Sequence, residues 1–352
     1  MPALESKLTV LVNSCDKYSD LWNPFFTLYK KYADSLKCQI FLNTESMDFS
    51  FKGLEIKCLH LPDIGERKKY SARMTYCLNQ ISSEYVLVLL DDFFLREPIK
   101  IDVINQIIEW MDEDKSIVSF NCDVNNKPYI DKKSEYQTYQ RLYPGNSYIL
   151  TLQAAIWRTK SFRNYWKYDV SPWEWEEYTN IIASTNFNEK FYSAVSIKDR
   201  FCNYGNDCEI WGVYRGKWVG NDIVPLFERE GITVDYSIRG LFNRGKSADG
   251  KNQSEFAIRK NEMPRTTKPN YAFVERVLGT KYKKKYKRFV RKNQVLNILN
   301  CSMEDCFFEY CLYEARVKVK KKIRREERIE LIKKESPKVI IRHAIEGIKK
   351  CR

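Results

Sequence analysis

The apolar run Val86–Leu90 stops abruptly at two adjacent carboxylates, Asp91 and Asp92, followed by Phe93-Phe94-Leu95. A buried strand that ends in paired acids puts negative charge where hard cations are held. Mn²⁺ or Mg²⁺ takes oxygen ligands and commonly binds through one or two carboxylates plus the phosphates of a ligand. Adjacent strand residues point to opposite sides. Asp92 is therefore expected to touch the metal, with Asp91 sharing it, facing a ribose or bracing the loop. The plainer alternative is a solvated strand end or a helix cap.

Two further groupings could do chemistry. In Ser171-Pro172-Trp173-Glu174-Trp175-Glu176 the spacing S-x-x-E, with proline at the first helical position, is a capping box. That gives Glu174 a structural role and leaves Glu176 on the helix face. Trp173 and Trp175 could stack on a sugar ring or pack in a core. Arg215-Gly216-Lys217-Trp218 sets two cations around a glycine, suited either to a diphosphate or to an ordinary surface turn. Only two histidines occur, His60 and His343, so histidine-based triads and multi-histidine metal sites are not expected. No GxxxxGK[ST] or GxGxxG stretch is present, which removes the usual support for P-loop and dinucleotide readings.

The elements that must position these groups alternate along the N-terminal half. Leu8–Val12 is a strand running into Asn13-Ser14-Cys15-Asp16. A helix follows with Leu21, Phe25, Leu28 and Tyr32 on one stripe. Gln39–Asn43 and Leu54–Leu61 are strands, Arg67–Ser82 a helix, and Tyr85–Leu90 a strand without polar alternation, as in a sheet covered on both faces. Ile101–Met111 is an amphipathic helix and Ile117–Phe120 another strand. This order predicts a doubly wound α/β sheet whose ligands bind beyond the carboxyl ends of its strands, where Asn13–Asp16 and Asp91–Asp92 lie.

Residues 122–264 are aromatic-rich and less periodic, and read as the acceptor-side half of a domain spanning 1–264, after a nucleotide-binding half at 1–121. Thr266–Asn270 reads as a junction. Residues 265–352 hold 26 Lys/Arg against 10 Asp/Glu, whereas the first 264 residues hold 34 against 36. The whole excess behind the net charge of +14 thus belongs to a basic helical appendage. It contains Lys281–Lys292, a long charged helix over 304–335, and an amphipathic end at 338–352. Binding to an anionic membrane surface, a structural role such as a homodimer contact, and nucleic-acid binding are its three readings; no nucleic-acid module accompanies the charge. The 11 cysteines are odd in number and scattered, without zinc spacing. With no apolar run long enough for a signal peptide or membrane span, the chain is expected to be cytoplasmic, with any membrane contact peripheral.

LTVLVNSCDKY at 8–18, YSARMTYCLNQISSEYVLVLLDDFFL at 70–95, TLQAAIW at 151–157, SPWEWE at 171–176 and RGKW at 215–218 together resemble bacterial GT-A glycosyltransferases. The likeness is broadly to family-2-like enzymes of capsular or surface polysaccharide synthesis, and it covers about the first 220 residues. It implies a GT-A-type mixed sheet with a Rossmann-like nucleotide-binding half. It also implies a nucleotide-sugar donor, a UDP-sugar above others, and a glycan or lipid-linked acceptor. Asn13, Ser14 and Asp16 would lie at the nucleotide-base end, although Asp16 could equally cap the following helix. Arg73 would be the arginine near the nucleotide, or a solvated helix residue. Asp91 and Asp92 would serve metal and diphosphate, although the family more often has Asp-any-Asp. Glu176, with Glu174 as the alternative, would be the base of an inverting transfer, and Arg215 and Lys217 would neutralise the leaving group. A sugar nucleotidyltransferase would share the acidic pair, but residues 8–18 lack the glycine-rich loop it needs. A non-enzymatic adaptor acting through the tail is the third reading.

Overall fold

The computed structural model describes residues 4–242, except 68, 125–127, 131–133, 147, 167–168 and 206–211, together with Lys284 and the helix 305–334. The expected segments 281–292 and 338–352 lie, but for Lys284, outside the described residues, as does the junction 266–270.

A single sheet organises the body. Its eight strands are β1 (Leu8–Asn13), β2 (Ile40–Asn43), β3 (Ile56–Leu59), β4 (Tyr85–Leu90), β5 (Ile117–Asn121), β6 (Tyr139–Leu142), β7 (Ala155–Arg158) and β8 (Lys190–Ala194). They lie in the order β3-β2-β1-β4-β7-β5-β8-β6. β3, β2, β1 and β4 run parallel, as the alternating strands and helices predicted. β7 then inserts antiparallel between β4 and β5, and β6 closes the far edge antiparallel to β8. The result is a mixed, doubly wound α/β sheet.

The covering helices explain why the central strands carry no polar alternation. Every residue of β1 is buried, because each face meets a different apolar layer. Val10 and Val12, with Leu87 and Leu89 of β4, pack under α2 (Trp22–Ala33) and α4 (Ile101–Glu113). Leu11, with Val86 and Val88, packs under α3 (Tyr70–Gln80) and α6 (Pro172–Thr185). Alternate residues thus serve opposite cores, the arrangement a period of two imposes on a sandwiched strand. Trp175 belongs to this second core, stacked on Trp166 with ring centroids 4.5 Å apart, whereas Trp173 is 71% exposed.

Three helices complete the body: α1 (Leu4–Lys7), the short α5 (Thr159–Arg163) and α7 (Gly220–Glu230). A small second sheet holds β9 (Val213–Tyr214), β10 (Lys217–Val219) and β11 (Leu241–Phe242), with β10 central. The last described element is α8 (Asp305–Lys334). Its first half is docked rather than free: Cys311, Leu312, Ala315 and Val319 are buried, and the helix packs on α6. Arg316 donates from Nε to the Gly145 carbonyl at 2.8 Å, over a glycine at φ +101° whose added Cβ would meet the Arg316 side chain at 2.7 Å. From Lys320 to Glu330 the helix is charged and largely exposed. Among the described residues, no helix is long and apolar enough to cross a membrane.

Candidate functional site

The parallel pairing of β1 with β4 places Asn13 opposite Leu90. The next residues, Ser14 and Asp91, therefore emerge side by side at the carboxyl end of the sheet. The Ser14 hydroxyl donates to Asp91 Oδ2 and accepts from Trp22 Nε1 at 2.6 Å. On the other flank of β1, Asn13 accepts from Asn43 Nδ2 at 2.7 Å and donates to the Tyr70 hydroxyl at 2.8 Å. These bonds tie β2, β1, β4 and α3 together at the point where the chain order of the sheet reverses, the place where open α/β sheets bind ligands.

Asp91 is 6% exposed, and Asp92 is partly open. Burial, and then the neighbouring Asp92 charge, pushes the Asp91 carboxyl well above the usual carboxylate range; the Ser14 hydrogen bond and Arg239 pull the other way. Burial likewise raises Asp92 to about 7, opposed by its own backbone N–H and by Arg239. Two desolvated carboxylates side by side are short of positive charge. That is the fit expected of a cation site. Among the described residues no three acidic, cysteine or histidine side chains gather to cage an ion. The donor set suits a metal that takes one or two carboxylates and completes its shell with a ligand's own oxygens.

Arg239 is the residue the sequence reading missed. It lies in the loop before β11, and its guanidinium is inserted between Asp20, 2.5 and 2.7 Å away, and the Tyr18 ring, 4.3 Å from its centroid. It stands close enough to the acidic pair to influence both carboxyls, and it is itself only 6% exposed at the side chain. Nothing in the local sequence singles it out, because Asp20 is 219 residues away.

The other expected residues occupy varied positions. Asp16 faces the loop after β2: it accepts from the backbone N–H of Glu45, Ser46 and Met47 and from the Ser46 hydroxyl at 2.5 Å. Burial would raise its carboxyl, and these bonds together hold it below the usual value. Arg73 is not a solvated helix residue. It is 4% exposed, donates to Glu45 at 2.7 Å and to the Arg67 carbonyl at 2.9 Å, and reaches the Ser14 carbonyl at 3.3 Å, bracing the same loop from behind. Glu45 returns a bond to the Asp16 N–H at 2.5 Å, so Asp16, Glu45 and Arg73 form one clamp.

Glu174 completes the expected capping box, accepting from the Ser171 N–H at 2.8 Å. Glu176, two residues on, is half-buried and accepts from the Leu152 N–H at 2.8 Å and the Thr151 hydroxyl at 3.2 Å. Its charge is felt by the half-buried Tyr70, whose hydroxyl is raised first by desolvation, so Glu176 borders the Asn13–Tyr70 side of the site. Arg215 and Gly216 form the two-residue corner between the antiparallel β9 and β10, with φ of 51° and 79°. Positive φ at both positions is the turn that matches strand twist. The result is a tight corner, not a loose glycine loop; Arg215 lies over the Tyr214 ring, and both Arg215 and Lys217 are exposed. That hairpin abuts the acidic pair through backbone: the Gly212 N–H donates to the Asp92 carbonyl at 2.7 Å.

The sequence matches no family model and no curated protein. Solved structures resemble it in part. S. aureus TarS in complex with UDP aligns at 16% identity over 55% of this chain and 62% of its own, with a TM-score of 0.34. CMP:2-keto-3-deoxy-manno-octonic acid synthetase complexed with CTP aligns at 8% identity over 54% and 88%, with a TM-score of 0.30. An active-site mutant of LgtC aligns at 9% identity over 51% and 65%, with a TM-score of 0.30. The chain thus spans less than two thirds of the length of TarS. Likenesses this distant concern the α/β layout alone, and the functional reading rests on the site.

Proposed function

We propose that this chain is a GT-A-type glycosyltransferase that moves a sugar from a nucleoside diphosphate donor, a UDP-sugar, to a glycan or lipid-linked acceptor, with metal dependence and inversion. The observation that carries the reading is the desolvated Asp91–Asp92 pair at the end of β4, set beside Ser14 of β1 and faced by Arg239.

Asp92, with Asp91, would hold Mn²⁺ or Mg²⁺. Such an ion supplies positive charge against the diphosphate leaving group. The chain's own residues do the remaining work. Ser14 and Trp22 orient Asp91, and the clamp of Asp16, Glu45 and Arg73 shapes the loop that would border the nucleotide. Arg239, preset by Asp20 and Tyr18, offers a fixed cation to developing phosphate charge without reorganising. Arg215 and Lys217, on the adjoining hairpin, add cations at its rim. Glu176, oriented by Leu152 and Thr151, takes the acceptor hydroxyl's proton while that oxygen bonds to the anomeric carbon and the bond to the diphosphate breaks. The exposed cations of α8 between Lys320 and Arg328 would hold the enzyme against an anionic membrane face on the cytoplasmic side, where lipid-linked acceptors of surface polysaccharide synthesis are met.

A thermal-shift screen against nucleoside diphosphates, with and without Mn²⁺, tests the reading, since a ligand that binds only the native state raises the midpoint. The expected result is a metal-dependent shift with one nucleotide that vanishes in Asp92→Asn. No shift with any nucleotide would overturn it. Pyrophosphate release from a nucleoside triphosphate and a sugar phosphate would assign a nucleotidyltransferase instead.

A further inference from the structure

Three polar residues of α6, Glu176, Asn180 and Ser184, follow one another at intervals of four. That spacing puts them on one stripe, roughly 12 Å long at the helical rise. Asn180 and Ser184 are buried, and Glu176 is half-buried. Polar groups so placed need partners. All three find them on the chain between Gly145 and Leu152. The Ser184 hydroxyl accepts from the Gly145 N–H at 3.0 Å. Asn180 accepts from the Leu150 N–H at 3.1 Å and donates to the Leu150 carbonyl at 3.0 Å. Glu176 takes the Leu152 N–H and the Thr151 hydroxyl. As the chain advances from Gly145 to Leu152, its partners step back from Ser184 to Glu176. The carboxylate of Glu176 is thus the last rung of a ladder.

The first rung is held from its other side by α8. The N–H of Gly145 goes to α6, and its carbonyl accepts from Arg316 Nε at 2.8 Å. The same guanidinium lies over the Tyr129 ring, 5.5 Å from its centroid, and the Tyr129 hydroxyl donates to the Pro144 carbonyl at 2.8 Å. Two neighbouring carbonyls are therefore fixed by one pair of side chains. The buried contacts of Leu312, Ala315 and Val319 seat α8 without direction. The Arg316 bond is directional, and it sets where the Gly145 carbonyl stands.

We propose that Arg316 is a positioning residue for Glu176: it registers the chain after Gly145 against α6, and the ladder through Asn180 carries that register to the carboxylate. The proposal rests on the reading of Glu176 as the base for the acceptor hydroxyl. A base must stand within hydrogen-bond reach of the proton it takes, and an error of about 1 Å costs on the order of a hundredfold in rate. The basic helix at the end of the chain is then part of the catalytic architecture.

Hydrogen exchange of the full chain, joined to a rate measurement, tests this. The rate is UDP release from UDP-glucose, UDP-galactose and UDP-N-acetylglucosamine with Mn²⁺ present and water as acceptor. Arg316→Met keeps the packing of the stem and loses the bond, whereas Arg316→Lys can still donate to the Gly145 carbonyl. In Arg316→Met the amides of 148–152 should exchange on the order of tenfold faster, with β1 unchanged. Release at saturating donor should fall about 10- to 100-fold while the donor KM stays the same. Arg316→Lys should recover most of both. In a Glu176→Gln background Arg316→Met should cost no further rate, because its effect passes through that carboxylate. Unaltered exchange at 148–152 in Arg316→Met would overturn the proposal, as would an equal loss of rate in both backgrounds. A native rate in Glu176→Gln alone would instead remove the base reading beneath it, whatever the exchange shows. If none of the three donors is consumed, exchange alone decides.

Discussion

Arg239 and Asp20 form a two-pronged ion pair, with N–O distances of 2.7 and 2.5 Å, although they lie 219 residues apart. The pair fastens the loop before β11 to the segment after β1 and sets a guanidinium near Asp91 and Asp92. Lysine is a point charge that cannot reproduce the planar fork. Arg239→Lys should therefore weaken nucleoside diphosphate binding on the order of tenfold, in line with a charge-assisted bond lost. Asp20→Ala, which frees the guanidinium, should weaken it as well. Titration of both variants with the nucleotide found in the screen is the check.

The acidic pair is held against its own electrostatics. For Asp92 the folded pKa, about 7, lies above the ordinary 3.8, so the native state binds the proton more tightly than the unfolded chain does. Stability without metal should fall as pH rises between those values and stay low above about 7. Asp92→Asn should raise the metal-free melting midpoint above pH 7 while removing the Mn²⁺-dependent increment. A scan of both proteins with and without EDTA reads both effects.

Glu176 and Glu174 are separable by substitution. Glutamine at 176 can still accept from the Leu152 N–H, so Glu176→Gln should fold and bind nucleotide normally. Its transfer rate should drop about 10²- to 10⁴-fold, the contribution of a general base. Glu174→Gln keeps an acceptor suited to a capping box and should change little. Glu174→Ala should cost about 1 kcal/mol of stability and leave the transfer rate intact. Equal losses of rate in Glu174→Gln and Glu176→Gln would remove Glu176 from its role.

Gly212 has no room for a side chain. A Cβ there would stand 2.2 Å from the Phe94 ring and 2.8 Å from the Asp92 carbonyl. Gly212→Ala must push the hairpin off the acidic pair, at about 1–3 kcal/mol for an overpacked position. The midpoint and the metal-dependent nucleotide shift should fall together.

Glu230 anchors the end of α7 to α2. Burial would raise its carboxyl, but bonds from Lys31, Arg229 and Tyr32 hold it at about 2, below the ordinary 4.5. A depressed acid lends stability above the unfolded value and loses it as pH falls through the folded one. Glu230→Gln should be less stable than the native chain above about pH 4.5, and the difference should close toward pH 2. Denaturant melts across that range measure it.

The parts of this protein legible in its residues are those decided within a few positions of chain. Continuous apolar runs mark β1 and β4, because a strand covered on both faces must be apolar throughout. S-x-x-E after a turn marks the start of α6, because a cap is made by residues three apart. The acidic pair could be read as a cation site because it ends such a strand.

What only the tertiary structure decided are the relationships across long stretches of chain. β7 slots antiparallel between β4 and β5, a choice made by neighbouring strands rather than by Ala155–Arg158 themselves. Asp16 and Arg73 become parts of one clamp because the loop after β2 arrives between them. The basic helix that composition sets apart is docked over 311–319, because its apolar residues find α6. Arg239 reaches the site for the same reason: hydrogen bonds and burial are satisfied in space, and sequence separation enters only as the entropy of closing the loop.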